Sequence, residues 1–185
     1  MYELAIKFAF HESKAIEALA LIAELQPGMT PLYVSKTLFF AEKWHINKYG
    51  RPILADTYIA MPRGPVPSTV KNFIDHKWDW VAKPEELDAA VLFDRSKGWA
   101  RLMPGSRKAK MELLSATDIE CLADAVSFCK DKKPDELSQI THQEKAWLQA
   151  DTNAPMDYEL FIDDDNPHRD EILSMVKEVA ACGVL

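Results

Sequence analysis

Between Thr30 and His76 the apolar positions repeat more densely than one face of a helix can hold. Thr30 followed by Pro31 reads as a helix start, because proline at the first helical position loses only an N–H that has no partner anyway. The pattern predicts a helix from Pro31 to about Lys48, with Gly50 as its stop. Within it, Tyr33/Thr37/Phe40/Trp44, Leu32/Phe39/Ile46 and Val34/Leu38/Ala41 form three apolar stripes. Only narrow polar lines remain, Lys36/Lys43/Asn47 and Ser35/Glu42. A surface helix shows one stripe, so this one is expected at the centre of its domain. After a turn at Tyr49-Gly50-Arg51-Pro52, Thr57–Met61 reads as a strand. Arg63-Gly64-Pro65-Val66-Pro67 reads as a rigid corner into a helix from Ser68 to about His76.

On either side the pattern is plainer. His11–Leu25 is expected to be a helix with Ile16, Leu19, Ala20 and Ala23 inward, and with Glu12, Lys14, Glu17 and Glu24 mostly off that face. Met1–Leu4 is expected to lead straight into it, without a basic-then-apolar leader pattern. Trp78 and Trp80 alternate in a short segment closed by Pro84. Asp88–Asp94 and Trp99–Met103 read as strands joined by a turn at Arg95-Ser96-Lys97-Gly98. Ser115 and Asp118 have the spacing of a capping box opening a helix to about Lys130, with Ile119, Leu122, Ala123, Val126 and Cys129 on its inner face. A short helix from Pro134 to Gln139 precedes another starting at Thr141, where Glu144 completes a second capping-box pattern. Asp151–Pro155 is a polar connection, and Tyr158–Ile162 is either strand or helix. Asp163-Asp164-Asp165 lacks the spacing, glycine and closing glutamate of a calcium loop. It reads instead as a lead to an Asn166 cap, with Pro167 first in a helix that buries Ile172, Met175, Val176 and Val179. The fold class expected is α+β, mainly α: a compact helical domain with a small hairpin and short antiparallel strands.

At 185 residues the chain has the length of a single domain. No apolar run reaches the roughly 18–20 residues of a membrane helix, so no membrane partner is expected. Three cysteines at no metal spacing, Cys121, Cys129 and Cys182, read as reduced thiols, which favours a cytoplasmic home. The net charge of -7 weighs against nucleic acid as main partner. Against that background Arg95, Lys97, Arg101, Arg107, Lys108 and Lys110 form one basic stretch, either a solvated hairpin and loop or a docking surface for an anion.

The chemistry of catalysis is missing from the pattern. His11, His45, His76, His142 and His168 are scattered and form no metal pair. There is no nucleophile elbow, phosphate loop or dinucleotide fingerprint. His45 reads as a core-edge histidine, and His142 as a residue that either hydrogen-bonds a neighbouring backbone group or orients its helix turn. No enzyme activity, cofactor or metal is expected.

Several of these motifs stand in a telling order. Leu38–His45 with Tyr49–Ile53, then Arg63–Pro67, then Ser115-x-x-Asp118, then Leu137-Ser138-x-x-Thr141-His142-x-Glu144-x-x-Trp147 resemble the Panacea domain. This is the SocA-like or GepA-like antitoxin family of bacteria and their phages. The resemblance spans about 30–147, with 1–29 as an added N-terminal helix and 148–185 as an acidic segment plus helix. Arg63 stands where the family often has an aromatic residue, and Ala146 where proline is common. What the resemblance implies is a mainly helical α+β domain without catalytic activity, which binds and neutralises a cognate toxin protein. Toxins paired with the family are of several unrelated kinds.

The residues give that implication a physical form. Pro65 and Pro67 fix φ and hold Gly64 and Val66 extended, so the corner is stiff. Trp44 and Trp147 are large apolar bodies with one donor each. In one reading the set only holds the fold. In the other, Arg63, Gly64, Pro65, Val66, Thr141, His142 and Trp147 present a preorganised face to a partner. Three further functions compete: a winged-helix-like regulator binding operator DNA through the basic hairpin; an adaptor delivering a client to a protease, with the acidic tail or Cys182–Leu185 as handle; and an unrecognised hydrolase, which needs a deep pocket with perturbed titratable groups.

Overall fold

A computed structural model describes residues 6–182, so the start expected at Met1–Leu4 and the end of the Cys182–Leu185 handle lie outside the described residues. Its order is α1 (Glu12–Leu25), α2 (Pro31–Tyr49), β1 (Tyr58–Met61), β2 (Gly64–Pro67), α3 (Ser68–Ile74), α4 (Pro84–Ala90), β3 (Val91–Asp94), β4 (Arg101–Pro104), α5 (Ala116–Lys130), α6 (Pro134–Thr141), α7 (Lys145–Leu148) and α8 (Arg169–Cys182). Short 3-10 turns cover Trp78–Trp80, Met111–Leu113 and Tyr158–Phe161. The architecture is α+β and mainly α, with two small antiparallel strand pairs.

Helix α2 is the centre the sequence pattern asks for. It packs against α5, β2, α8, α6, α3, β4 and the Tyr158–Phe161 turn. Every residue from Val34 to Glu42 is buried, with His45 and Ile46. Gly50 ends it in the left-handed conformation, φ 66°, with its N–H on the Ile46 carbonyl. Phe39 lies edge-on to Phe40, Tyr58 and Phe161, which ties the helix to the first hairpin and to the C-terminal part.

Because α2 is enclosed, its polar lines face the interior and each needs a partner there. The fully buried Glu42 accepts from the backbone N–H of Ile53, Leu54 and Ala55 at 2.9, 3.1 and 2.8 Å. It also accepts from the Tyr158 hydroxyl at 3.0 Å. That one carboxylate pins the connection into β1. Asp56, also buried, accepts from Thr69 and Val70 N–H at 2.9 Å each and so caps α3 from outside its own sequence. Asn47 spans to the C-terminal part, donating to the Phe161 carbonyl at 2.8 Å and accepting from Asp163 N–H at 2.9 Å.

The stretch expected to be a plain corner is the second strand of a hairpin. Gly64–Pro67 pairs with Tyr58–Met61, from Met61 opposite Gly64 to Tyr58 opposite Pro67. Two prolines fit because β2 is an edge strand and needs no N–H on its outer side. The other edge of β1 takes residues 153–156: Ala60 N–H donates to Ala154, while Asn153 and Met156 N–H donate to Ala60 and Tyr58. The polar connection is thus a third, irregular strand.

Other expectations need correction. Pro84 opens a helix instead of closing a segment, since Glu85 and Glu86 follow in the first turn, where carboxylates favour the helix dipole. Only Val91–Asp94 of the expected 88–94 strand is extended, and the return strand begins at Arg101, leaving Trp99 in the turn. Thr141 does not cap a new helix. It ends α6, its hydroxyl donating back to the Leu137 and Ser138 carbonyls at 3.0 Å, and α7 starts four residues later after Glu144. Helix α8 starts at Arg169, two residues beyond the expected Pro167, although Asn166 does accept from His168 N–H. Met175 on α8 is exposed. The Ser115–Asp118 capping box is present in full.

Candidate functional site

Four contacts clamp the tip of the β1–β2 hairpin, and with the packing around them they bring Arg63, Gly64 and Pro65 against Thr141, His142 and Trp147. The Trp147 indole N–H donates to the Met61 carbonyl at 3.1 Å. The Ser138 hydroxyl donates to the Arg63 carbonyl at 3.2 Å. The Lys36 ammonium donates to the Pro65 carbonyl at 3.2 Å. Arg63 also pairs with Asp135 at 3.3 Å, from an exposed position. His142 stacks on Trp147 with ring centres 4.0 Å apart, and its buried Nε2 has no hydrogen-bond partner.

Gly64 is where the tip closes on the helices. Its φ is 101°, which disfavours any side chain. A Cβ built there would lie 2.3 Å from the Thr141 hydroxyl and 2.4 Å from the Lys36 ammonium. Thr141 and Gly64 are therefore backing, as is the buried Pro65. Of the seven residues expected to form the partner face, Arg63 is exposed and Val66, His142 and Trp147 are half-buried.

Lys36 was legible only as part of a polar line, yet it is the least ordinary residue of this region. It is 1% exposed. Among the described residues it has no carboxylate within ion-pair distance. Burial, reinforced by the nearby Arg63 guanidinium, pushes its ammonium down from 10.5 to about 7. Cys129 of α5 lies near it as a thiol that burial pushes up to about 11.

The groove side of the hairpin opens onto a cleft of about 900 Å³. Its walls come from the start of α2, the hairpin tip, α3 and the β3–β4 turn. Lys36, Arg63, Lys71 and Arg95 line it, against one carboxylate, Asp75. Lys71 pairs with that Asp75, and Arg95 donates to the Ile74 carbonyl. Leu32, Met61, Val66 and Trp99 supply the apolar surface, and Trp99 is 81% exposed.

A second polar cluster lies between α1, α2 and α5. Asp118, fully buried, meets Lys14 at 2.9 Å, Arg51 at 3.1 Å and His45 at 3.2 Å. Burial would raise its carboxyl, but the Lys14 bond, the Ser115 N–H and the two cations outweigh that and hold it below the ordinary range. His45 is fully enclosed, not at the core edge, and burial lowers it. A neutral imidazole donates from Nδ1 to the Arg51 carbonyl at 2.8 Å and accepts at Nε2 from the Thr117 hydroxyl at 2.9 Å. Lys14 and Glu17, expected off the inner face of α1, are both buried because each has an opposite charge to meet.

That also breaks up the basic stretch. Arg107 grips Glu17 with two bonds of 2.8 and 2.7 Å. Lys108 and Lys110 sit 3.7 and 3.6 Å from Glu24 and Glu86. Among the described residues no group of three or more His, Cys, Asp or Glu is placed to hold a metal, and no helix is long and apolar enough to cross a membrane.

No curated protein and no solved structure matches the chain significantly. A family model does, over residues 34–148, which takes in the central helix, the clamped hairpin and both helices that hold it. By that match the chain belongs to the antitoxin SocA-like family, as a Panacea domain.

Proposed function

We propose that this protein is the antitoxin of a toxin–antitoxin pair, acts in the cytoplasm, and neutralises its toxin by direct protein–protein binding without making or breaking a bond. The observation that carries this reading is the family match, which covers every element of the hairpin clamp. The clamp supports it physically. A partner face fixed by three hydrogen bonds to one hairpin tip needs little ordering when a partner arrives, so less binding energy is lost to entropy.

The regulator reading keeps only part of its basic stretch: Arg107, Lys108 and Lys110 face carboxylates of their own chain, which leaves the hairpin's Arg95, Lys97 and Arg101. Phosphate contacts need free cations.

Co-expression with the neighbouring gene tests the proposal. The neighbour alone is expected to stop growth, and growth is expected to return when this protein is present and co-purifies with it. A harmless neighbour, or one that stays toxic, removes the proposal for that pair.

A further inference from the structure

The toxin-binding reading leaves open where the toxin docks and what it presents. The groove beside the hairpin narrows both. It is the place where an acidic chain of net charge -7 gathers four cations against one carboxylate. Two of the four, Lys71 and Arg63, have acidic partners of their own. The other two do not: among the described residues, neither Lys36 nor Arg95 has a carboxylate within ion-pair distance. Lys36 lies beneath the groove, almost wholly out of water, bonded only to the Pro65 carbonyl. A buried charge without a counter-charge is costly to its own fold, which pairs it or shifts it toward the neutral form. Here α1 shows the ordinary solution, with Lys14 set against Asp118. The apolar walls do not explain the lysine either. Leu32, Met61, Val66 and the exposed Trp99 offer a partner hydrophobic contact, and a methionine in place of Lys36 would continue that surface.

Resting on the toxin-binding reading, we propose that this groove receives an apolar segment of the toxin that carries an aspartate or glutamate, with the carboxylate seated over Lys36 between Arg63 and Arg95 and an apolar side chain laid on Trp99. The missing counter-charge of Lys36 is then the one that the partner brings. Such a carboxylate, excluded from water on three sides, is held by charge-assisted bonds that give specificity as well as affinity.

The test uses the full chain and the purified product of the neighbouring gene, in an inactive form if needed, with affinity read by calorimetry. Lys36→Met is expected to weaken binding at least tenfold while its thermal midpoint stays level or rises. Val66→Asp, which puts a carboxylate of the chain itself into the groove, is expected to abolish binding. Each aspartate and glutamate of the toxin is then changed to its amide. One of them is expected to match the loss in Lys36→Met and to add nothing further in that background, as coupled partners do. Unchanged affinity in Lys36→Met overturns the inference, whether or not Val66→Asp binds, and leaves the toxin-binding reading in place. So does strict additivity for every toxin carboxylate. Failure of the wild-type chain to bind the neighbour at all overturns both.

Discussion

Two lysines lie buried on the two longest-buried helices, and their surroundings differ in one respect. Lys14 of α1 touches Asp118 at 2.9 Å, inside a cluster that also holds Arg51 and His45. Lys36 of α2 touches only a carbonyl, and above it is a groove. The first arrangement is closed: its two cations share the buried Asp118 carboxylate, and helices α1, α2 and α5 are tied at one point. The second is buried too, but its bonding is left open, with no counter-charge of its own. A folded chain tolerates such an opening where other forces over-determine the local structure, and the hairpin clamp supplies these through Ser138, Trp147 and the packing of Gly64 on Thr141. Buried charge with a counter-charge thus belongs to the scaffold, and the buried lysine without one lies at the groove proposed to bind the partner.

Breaking the closed cluster has the largest expected effect. Asp118→Ala strands Lys14 and Arg51 and removes half of the α5 capping box. Removing one partner of a buried ion pair costs about 3–5 kcal/mol, enough to threaten a marginally stable domain. Urea denaturation at neutral pH measures it. Acidification gives the same information without mutation. The native carboxyl is held below its ordinary value, so its contribution is full above about pH 4 and is lost as pH falls through the lowered value. That share of acid sensitivity is expected to be absent from the variant.

Gly64→Ala attacks the open region and leaves Asp118 untouched. The positive φ strains an alanine by about 1–3 kcal/mol. The methyl group must also displace the Thr141 hydroxyl or the Lys36 ammonium. A loss of about 2–4 kcal/mol is expected, with faster amide exchange across 58–67 than across α5. Equal loosening of both regions would show that they are not separate units.

Local signals carried the reading of the sequence a long way at helix ends. Pro31 and Gly50 bracket α2, and Ser115 with Asp118 opens α5, because caps involve residues three or four apart. The three-stripe count placed α2 at the centre for a similar reason: it needs only one helix. What stayed illegible is the pairing of polar residues distant in sequence. Glu17 meets Arg107 at a separation of 90 residues, and Glu42 meets Tyr158 at 116. From sequence alone such residues look solvated, as Lys14 and Glu17 do on α1. Thr141 shows a local rule defeated locally. Threonine and Glu144 have capping-box spacing, but the hydroxyl is already committed to Leu137 and Ser138 one turn earlier. For the candidate site, the Gly-Pro-Val-Pro corner and the Thr-His-Trp element were found, whereas Lys36, Arg95 and Trp99 converge only through the fold.

The sharpest form of the comparison is a titration of stability, with the smallest expected effect. The Lys36 ammonium ionises near 7 in the folded chain and near 10.5 when unfolded. Between those values the unfolded state holds more protons, so wild-type stability must rise with pH from about 7 upward, by at most about 1.4 kcal/mol per pH unit from this group. The buried thiols act in the opposite sense higher up. Cys121 and Cys129 are pushed up from 9.0 to about 11, so above pH 9 the unfolded chain loses protons that the folded chain keeps, and stability falls. The window in which Lys36 dominates is therefore pH 7 to 9. Lys36→Met is expected to be flatter across that window and, at pH 7, more stable than wild type by about 1–3 kcal/mol. Urea midpoints at pH 7, 8 and 9 decide it. Parallel curves for the two proteins would mean that Lys36 finds a counter-charge within its own fold, which would make its region as closed as that of Lys14.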